Sequence, residues 1–357
     1  MLAGAVAFHA SAGFAAAQPP GDRKWEVEIG GGWEFSVRPI DGTALPIEPG
    51  EPFVTGVGEP SRRVRSWFFG DGAALLNEAI GGFRDQIDIP PVDPLDSVFG
   101  TGLLGPHEYG GVARVSVTRI LNRRFAVELG GSYSTVPRIE LAGTAYSRIR
   151  QSRESFEPTW AALIPIGPFT ESTVSSSLTS GAGSLRETAV TGVLHVTFPT
   201  GGREVPYVSV GAGYVQASGE LPGSEIVGTY RFRIDRKHWF EQVDAVTLRS
   251  SSNDGAVVGV VGGGLKSYLS DRWGLRLDVR ALIGQSATHL EVDTDPRVRA
   301  DGLPYGVASR TAPSIQFGNE AASVASTLGL ATSGLRAWSA SGLSVRVRFS
   351  LGVFLRF

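Results

Sequence analysis

The chain has 357 residues, a formal net charge of −2 and no cysteine. The near balance of charge argues against nucleic-acid binding, which usually needs a basic face. The lack of cysteine excludes disulfides, thiolate metal ligands and a thiol nucleophile. Its 47 glycines, together with many short alternating segments, indicate an all-β protein rather than a helical one.

The first residues, 1–17, contain no Asp, Glu, Lys or Arg and end in Ala15-Ala16-Ala17, an A-x-A-like signal-peptidase site. We therefore expect a signal peptide there, shortened at its start because it has no basic residue, and one domain over 18–357. A first transmembrane helix is the alternative, but Pro19 and Pro20 break a segment that is already short for a span. Beyond it, no charge-free apolar run approaches the roughly 18–20 residues of a spanning helix.

Eight segments then alternate between apolar and polar residues. In chain order they are Lys24–Val37, about Glu108–Ile120, Arg123–Thr135, about Leu185–Phe198, about Val205–Ala217, Gly255–Leu269, Arg272–Gln285 and Gly342–Phe357. Successive side chains of a strand point to opposite faces, so each segment has one apolar and one polar face. The last segment alternates with Phe354 as its one exception, and it is longer than the roughly 9–11 residues that cross a bilayer at a tilt.

Short and long connections between these segments alternate strictly. The short ones are Leu121-Asn122, residues 199–204 and Ser270-Asp271, and the long ones are about 38–107, 136–184, 218–254 and 286–341. This arrangement is typical of an antiparallel up-and-down transmembrane β-barrel with short periplasmic turns and long extracellular loops. The sequence therefore predicts an all-β barrel of eight strands, with ten as the alternative.

Two features bear on these alternatives. Residues 226–235 alternate within the third long loop, which predicts a hairpin above the membrane and is where two further barrel strands would arise. A soluble lipocalin-type barrel would also alternate, but long strands, unequal loops and aromatic residues near strand ends count against it. Those aromatic residues are Trp25, Trp33, Trp67, Tyr133, Tyr214, Tyr268 and Trp273.

The long loops contain helical patterns of their own. A short helix is predicted over Ala73–Ile80, starting near Asp71, and a helical turn is predicted over Phe156–Ile164. Loops of this length usually carry a function or are disordered. Because the predicted helices are apolar, we expect the loops to fold over the mouth of the barrel.

The chain ends in an aromatic residue preceded by apolar residues at every second position, namely Phe349, Leu351, Val353, Leu355 and Phe357. This end resembles that of bacterial outer-membrane proteins, and the segments Phe125–Tyr133 and Pro206–Tyr214 resemble strands of small OmpA-like and OmpW-like eight-stranded barrels. The resemblance covers the strands, a little under a third of the chain, and none of the loops. It implies a Gram-negative outer-membrane location and contact with the bilayer and lipopolysaccharide. It also implies that the barrel-assembly machinery reads the last strand as a sorting signal.

The polar faces of the predicted strands carry charges of both signs. The inward charged residues are Glu26, Glu28, Glu34, Arg114, Glu128, Lys266, Arg276, Asp278, Arg280, Arg346, Arg348 and Arg356. A buried charge is costly unless it is paired, so these residues should form an ion-pair network in the lumen. Glu34 should reach a height similar to that of Arg346 or Arg348 across the closing seam. The interior of an eight-stranded barrel is only just wide enough for side chains, which predicts a filled or gated lumen.

These patterns favour a non-enzymatic, monomeric outer-membrane barrel with structured surface loops, acting in envelope integrity or surface contact. A narrow porin-like channel, or an uptake barrel for small or apolar solutes, is the alternative. A barrel-embedded lipid-modifying enzyme is a distant third, since it needs a neighbouring His, Ser and acid. The histidines of the mature chain match no such motif and no metal-ligand spacing; they are His107, His195, His238 and His289. We therefore expect no catalytic residues, no metal and no cofactor.

Overall fold

The structure is a computed structural model. It describes residues 24–37, 42–45, 47, 52–53, 61–81, 88–100, 103–105, 107–164, 170–234, 238–252, 255–300 and 328–357. The expected signal peptide lies outside these residues. No helix within the described ranges combines the length and the hydropathy that crossing a membrane would require.

Strands dominate the described part of the chain. They are β1 (Trp25–Val37), β2 (Gly42–Ala44), β3 (Pro52–Phe53), β4 (Ser61–Arg62), β5 (His107–Ile120), β6 (Phe125–Ile139), β7 (Thr170–Gly181), β8 (Gly183–Thr197), β9 (Glu204–Glu220), β10 (Gly223–Ile234), β11 (His238–Ser252), β12 (Gly255–Tyr268), β13 (Trp273–Ala300) and β14 (Thr332–Arg356). The helices are α1 (Gly70–Gly81), α2 (Asp96–Phe99) and α3 (Gly143–Leu163).

Eight of the strands close into a ring. The order is β14-β1-β5-β6-β8-β9-β12-β13, and β13 pairs back with β14. Neighbours in the ring are antiparallel, with Trp33 opposite Phe349 at one seam and Leu275 opposite Val353 at the next. The all-β, antiparallel up-and-down architecture predicted from the sequence is confirmed. Among the described residues the whole sheet contains 12 strands, of which four lie outside the ring.

The extra strands form an upper tier above one side of the ring. Here β7 leads almost directly into β8, β9 into β10 and β11 into β12, with interruptions of one or two residues. One edge of β13 pairs with β12 over 274–284 and with β11 over 288–300. The predicted hairpin is therefore β10–β11, which joins the sheet without entering the ring. Gly219 lies next to one of these breaks with φ 139°, where a Cβ would collide with the carbonyl of Ser184.

The apolar face of the sheet changes sides between the two tiers. In the lower half of β13 the outward residues are apolar, from Trp273 to Ile283, while Arg276 and Arg280 point inward. In the upper half the buried inward residues are apolar, such as Leu290 and Val292. Polar residues then take the outward positions. The outer face of β13 is therefore apolar along the ring and polar above it.

The prediction of a fourth long loop over 286–341 needs correction. β13 continues to Ala300 and β14 begins at Thr332, so much of that segment is strand. The sequence prediction expects apolar residues to point outward from each strand. Above the ring, polar residues point outward instead, so the strand pattern is not recognised there. The second long connection likewise contains α3 and β7, and the third contains β10 and β11.

The helices and the upper tier enclose a separate apolar core, which we call the cap. The rings of Trp160 and Tyr230 stack at 4.3 Å, and Trp67 meets Trp160 edge-on at 5.1 Å. Glu157 on α3 accepts hydrogen bonds from the backbone N–H and hydroxyl of Ser176, so the helix covers the outer edge of β7. The loops therefore fold over the barrel as expected from their apolar helices.

Three predictions about these segments need correction or extension. The helix over Phe156–Ile164 is the last part of the longer α3. Trp67 is fully buried in the cap and is not part of an outer aromatic girdle. Tyr268 points into the ring, where its ring centroid lies 5.3 Å from that of Phe354. Each residue lies near a strand end or loop, where position along the chain does not fix which side it faces.

A single carboxyl group is of interest within the cap core. Asp244 on β11 is buried and accepts hydrogen bonds from the Ser66 hydroxyl (2.8 Å) and the Trp67 backbone N–H (2.6 Å). It thereby fastens the segment before α1 to the upper tier. Burial raises the pKa of Asp244 to about 7, an effect that its two hydrogen bonds oppose and that the negative charge of Asp71 reinforces.

We predict a pH-dependent loss of cap stability that originates at Asp244. The unfolded pKa is about 3.9, so the folded state holds the proton more tightly and stability falls as pH rises from about 4 to about 7. Asp244→Asn should remove this pH dependence. Its total effect on the free energy of unfolding is at most about 4 kcal/mol. Denaturant unfolding followed by tryptophan fluorescence at several pH values measures it, with the partly exposed Asp295→Asn as control. Parallel pH profiles for the wild type and Asp244→Asn would contradict the assignment.

Candidate functional site in the barrel lumen

The inward face of the ring carries as many cationic as anionic side chains. Among the described residues, the seven cationic groups are Arg114, Lys266, Arg276, Arg280, Arg346, Arg348 and Arg356. The seven carboxylates are Glu26, Glu28, Glu34, Glu108, Glu128, Glu187 and Asp278. Alternate positions of each strand point inward, so several strands each contribute charged side chains to the interior. The interior is therefore neutral overall and is arranged in three levels along the ring axis.

The lower level lies next to the short turns. Glu26 on β1 pairs with Lys266 from β12 and, at 3.2 Å, with Arg356 from β14. Tyr268 donates a hydrogen bond to Glu26 at 3.5 Å. Phe354, the exception in the terminal alternation, points inward and its ring lies 5.7 Å from the Lys266 ammonium. This end of the lumen is closed by an aromatic ring as well as by charges.

Glu128 is the centre of the middle level. This fully buried carboxylate accepts hydrogen bonds from Arg276 at 2.7 Å, from Arg280 at 2.8 Å and from Arg114. His195 contacts it through Nε2 at 3.0 Å. Three guanidinium groups thus converge on one carboxylate, an arrangement that needs further anions nearby.

Those further anions are Glu28 and Asp278. Arg276 donates to Glu28 at 2.7 Å and to Asp278 at 3.0 Å, and its Nε donates to the Tyr207 hydroxyl at 2.7 Å. Asp278 also accepts a hydrogen bond from Arg114 at 2.7 Å. The middle level therefore holds three guanidinium groups and three carboxylates joined in one hydrogen-bonded network.

The upper level contains two separate ion pairs. Arg346 holds Glu187 through two hydrogen bonds of 2.7 and 2.8 Å. Arg348 pairs with Glu34 and donates to the Ser132 hydroxyl at 2.7 Å. Beside them lies an inward apolar cluster from β8, β9, β12 and β13, formed by Ala189, Val193, Val215, Val258, Val260 and Leu282.

All twelve charged residues singled out in the sequence lie inside the ring, and each takes part in an ion pair. Glu34 pairs with Arg348, whereas the partner of Arg346 is Glu187, which sequence reasoning missed. Glu187 shares its strand parity with the inward His195, and that signal could have found it. The inward apolar cluster does not follow from the charge pattern, because its residues take inward positions that are polar elsewhere in the ring.

The remaining residues of interest take different places. The five residues of the expected sorting signal point outward on β14, each about half exposed. His289 lies on the outer side of β13 in the upper tier, while the side chains of His107 and His238 are outside the described set. Within the described ranges, no group of His, Asp and Glu has the arrangement of a metal site.

Comparison with known proteins gives little beyond this geometry. No protein-family profile and no curated protein matches the chain. Among solved structures, the chain is similar to the outer membrane protein OprG from Pseudomonas aeruginosa, with 10% identity over 94% of this chain and 97% of that chain and a TM-score of 0.35. It is also similar to a major outer membrane protein from Thermus thermophilus, with 12% identity, coverage of 72% and 95%, and a TM-score of 0.28. TM-scores this low do not establish a shared fold or activity.

We predict that Arg346 and Glu187 are strongly coupled. Glu187→Gln leaves a buried guanidinium without its main counter-charge and should destabilise the barrel by about 3–5 kcal/mol. Adding Arg346→Met should recover most of this loss, because the unpaired charge is then gone. Denaturant titration in micelles measures the unfolding free energies of this double-mutant cycle. Glu225→Gln, on the exposed face of β10, is the control. Additive losses in the double variant would show that the pair is not a unit.

Proposed function

We propose that the chain is a monomeric, non-enzymatic barrel of the bacterial outer membrane, with an occluded lumen and a folded cap at the cell surface. The observation that carries this is the inversion of polarity along the sheet, because the large, exposed apolar residues of the described strands are all on the strands of the ring. In this reading the barrel anchors the cap, and the cap acts in surface contact or envelope integrity.

Exposure of the outer face supports placement in a membrane. Residues that would be buried in a soluble protein are exposed around the ring, among them Ile29 at 70%, Trp33 at 76% and Val257 at 74%. A contiguous apolar belt of this kind marks a membrane or partner surface. Exposed aromatic residues border it on both sides: Trp25, Phe125, Phe198, Trp273 and Phe357 at the turn end, and Trp33, Tyr109, Tyr133 and Tyr214 toward the cap. The outward C-terminal residues would then be the signal that the barrel-assembly machinery reads.

We predict that a charge placed in the belt disrupts folding into lipid. Leu351→Arg, near the middle of outward β14, should destabilise the barrel by about 2–4 kcal/mol because an arginine then faces hydrocarbon. Gln285→Arg is the matched control, since it is exposed on the outer face just above the apolar part of β13. Folding titrations in phospholipid vesicles measure both variants. Equal effects of the two substitutions would argue against a membrane belt.

The occluded lumen follows from the three levels of ion pairs. Eight strands leave room only for side chains, and the twelve charged residues predicted from the sequence, together with Glu187, form ion pairs with one another. Conduction would require ions to separate pairs that are hydrogen-bonded in a poorly solvated interior. The apolar cluster around Val258 and Leu282 removes water from one side of the upper level.

A narrow channel is the second candidate function, favoured by a small cavity between the middle and upper levels. Its volume is about 20 Å³, and Arg114, Arg280 and Arg348 contribute to its lining. Such a cavity would belong to a conducting path if the pairs above and below it opened. An enzymatic role is less well supported: Glu128, His195 and Ser209 come from neighbouring strands, yet all are buried in the interior rather than at the bilayer boundary.

Recording from purified protein in planar bilayers distinguishes the two candidates. We expect the wild type to show no steady conductance, because the side chains of the three levels block the path. Glu187→Ala/Arg346→Ala, which removes a whole pair from the upper level, should leave the lumen closed at the middle and lower levels. A large, steady wild-type conductance would reject the occluded barrel in favour of the channel.

A further inference from the structure

The cavity between the middle and upper levels is lined by cations and hydroxyl groups. The polar residues around it are Arg114, Ser132, Thr191, Arg280, Arg348 and Ser350. Of the eleven described residues that line it, none carries a carboxylate. With a volume of about 20 Å³, it has room for at least one water-sized species. The space therefore suits one small species that accepts hydrogen bonds.

Arg348 supplies an unused donor at this place. Its side chain is only 9% exposed, its Nε is engaged by Glu34 and its Nη1 by Ser132. Its Nη2 is buried and has no hydrogen-bond partner among the described residues. A buried donor left unpaired is costly, so a missing acceptor is expected beside it.

Arg280 on the middle level shows a related feature. Its Nη2 lies 2.8 Å from Asp278 Oδ2, but the geometry is not that of a hydrogen bond. Its other nitrogens donate to Asp278 and Glu128. The carboxylates thus hold the guanidinium groups from outside the cavity, and the cavity itself is left with N–H and O–H donors.

We propose that this cavity binds a single small monovalent anion of the size of chloride. Such an ion accepts from every N–H and O–H donor around it and needs no acceptor of its own, whereas a water molecule would have to place its two protons on the hydroxyl oxygens of the lining. The site depends on the interior geometry alone and not on whether the lumen conducts, so its test and the conductance test fail independently.

Bromide provides a direct test because it replaces chloride and scatters X-rays anomalously. Crystals of the full chain grown in sodium bromide should show an anomalous peak between Arg280 and Arg348. A cavity that is empty, or that holds only water in bromide, would overturn the proposal. Because this measurement uses the wild-type protein, it does not depend on any variant folding.

Unfolding in solution gives a second, independent measurement. The thermal midpoint should rise and saturate with bromide or chloride relative to gluconate at the same ionic strength. Arg348→Met/Glu34→Gln removes the donor together with its counter-charge and should abolish that difference, and Ser350→Ala should weaken it. Arg346→Met/Glu187→Gln is the matched control, because that pair does not line the cavity, and it should keep the halide effect. Loss of the effect in both double variants, or its absence in the wild type, would contradict the site.

Discussion

The charges around Glu128 are the constraint on which the barrel depends. Glu128 lies on β6, while two of its three guanidinium partners come from β13, on another side of the ring. Glu26 and Lys266 similarly connect β1 with β12, which are not neighbours in the sheet. These contacts cross the interior, so they hold the ring at one width and one stagger. They reinforce the stagger and width that the strand number and the registers of the closed ring define.

The same charges explain why the inner face is polar at all. Buried ion pairs are often no more stable than well-packed apolar residues of the same volume. In a wall whose outer face is apolar, however, an apolar inner face would leave the two faces of each strand equivalent. A register slip by one residue exchanges the faces of a strand. With Arg276, Asp278 and Arg280 on one face of β13, that slip would place three charges on the apolar outer face, so the network selects one register.

Sequence reasoning predicted the ring and its charged interior because both follow from one rule, the two-residue period of a strand. The rule assigned β1, β5, β6, β8, β9 and β12 nearly to their observed bounds. It fails above the ring, where the same period continues with opposite polarity, so the rule predicts loop for the upper parts of β13 and β14. It also could not show which inward residues meet. The pairing of Arg346 with Glu187 connects strands that are not neighbours, and it depends on the stagger of the closed ring.

The cap and the barrel thus share one nearly continuous set of strands, although the interior is charged around the ring and apolar above it. Around the ring the inward charges lie in a narrow interior, and most of them are held by ion pairs with charges on other strands. Above the ring the interior is filled by aromatic residues such as Trp160 and Phe240, as in a soluble core. Asp244 is an acid in that upper core without the cationic partners that the lumen provides, which is why burial shifts its pKa upward. Whether a buried carboxyl group is held by cations or by hydrogen bonds alone therefore depends on its height along the strands.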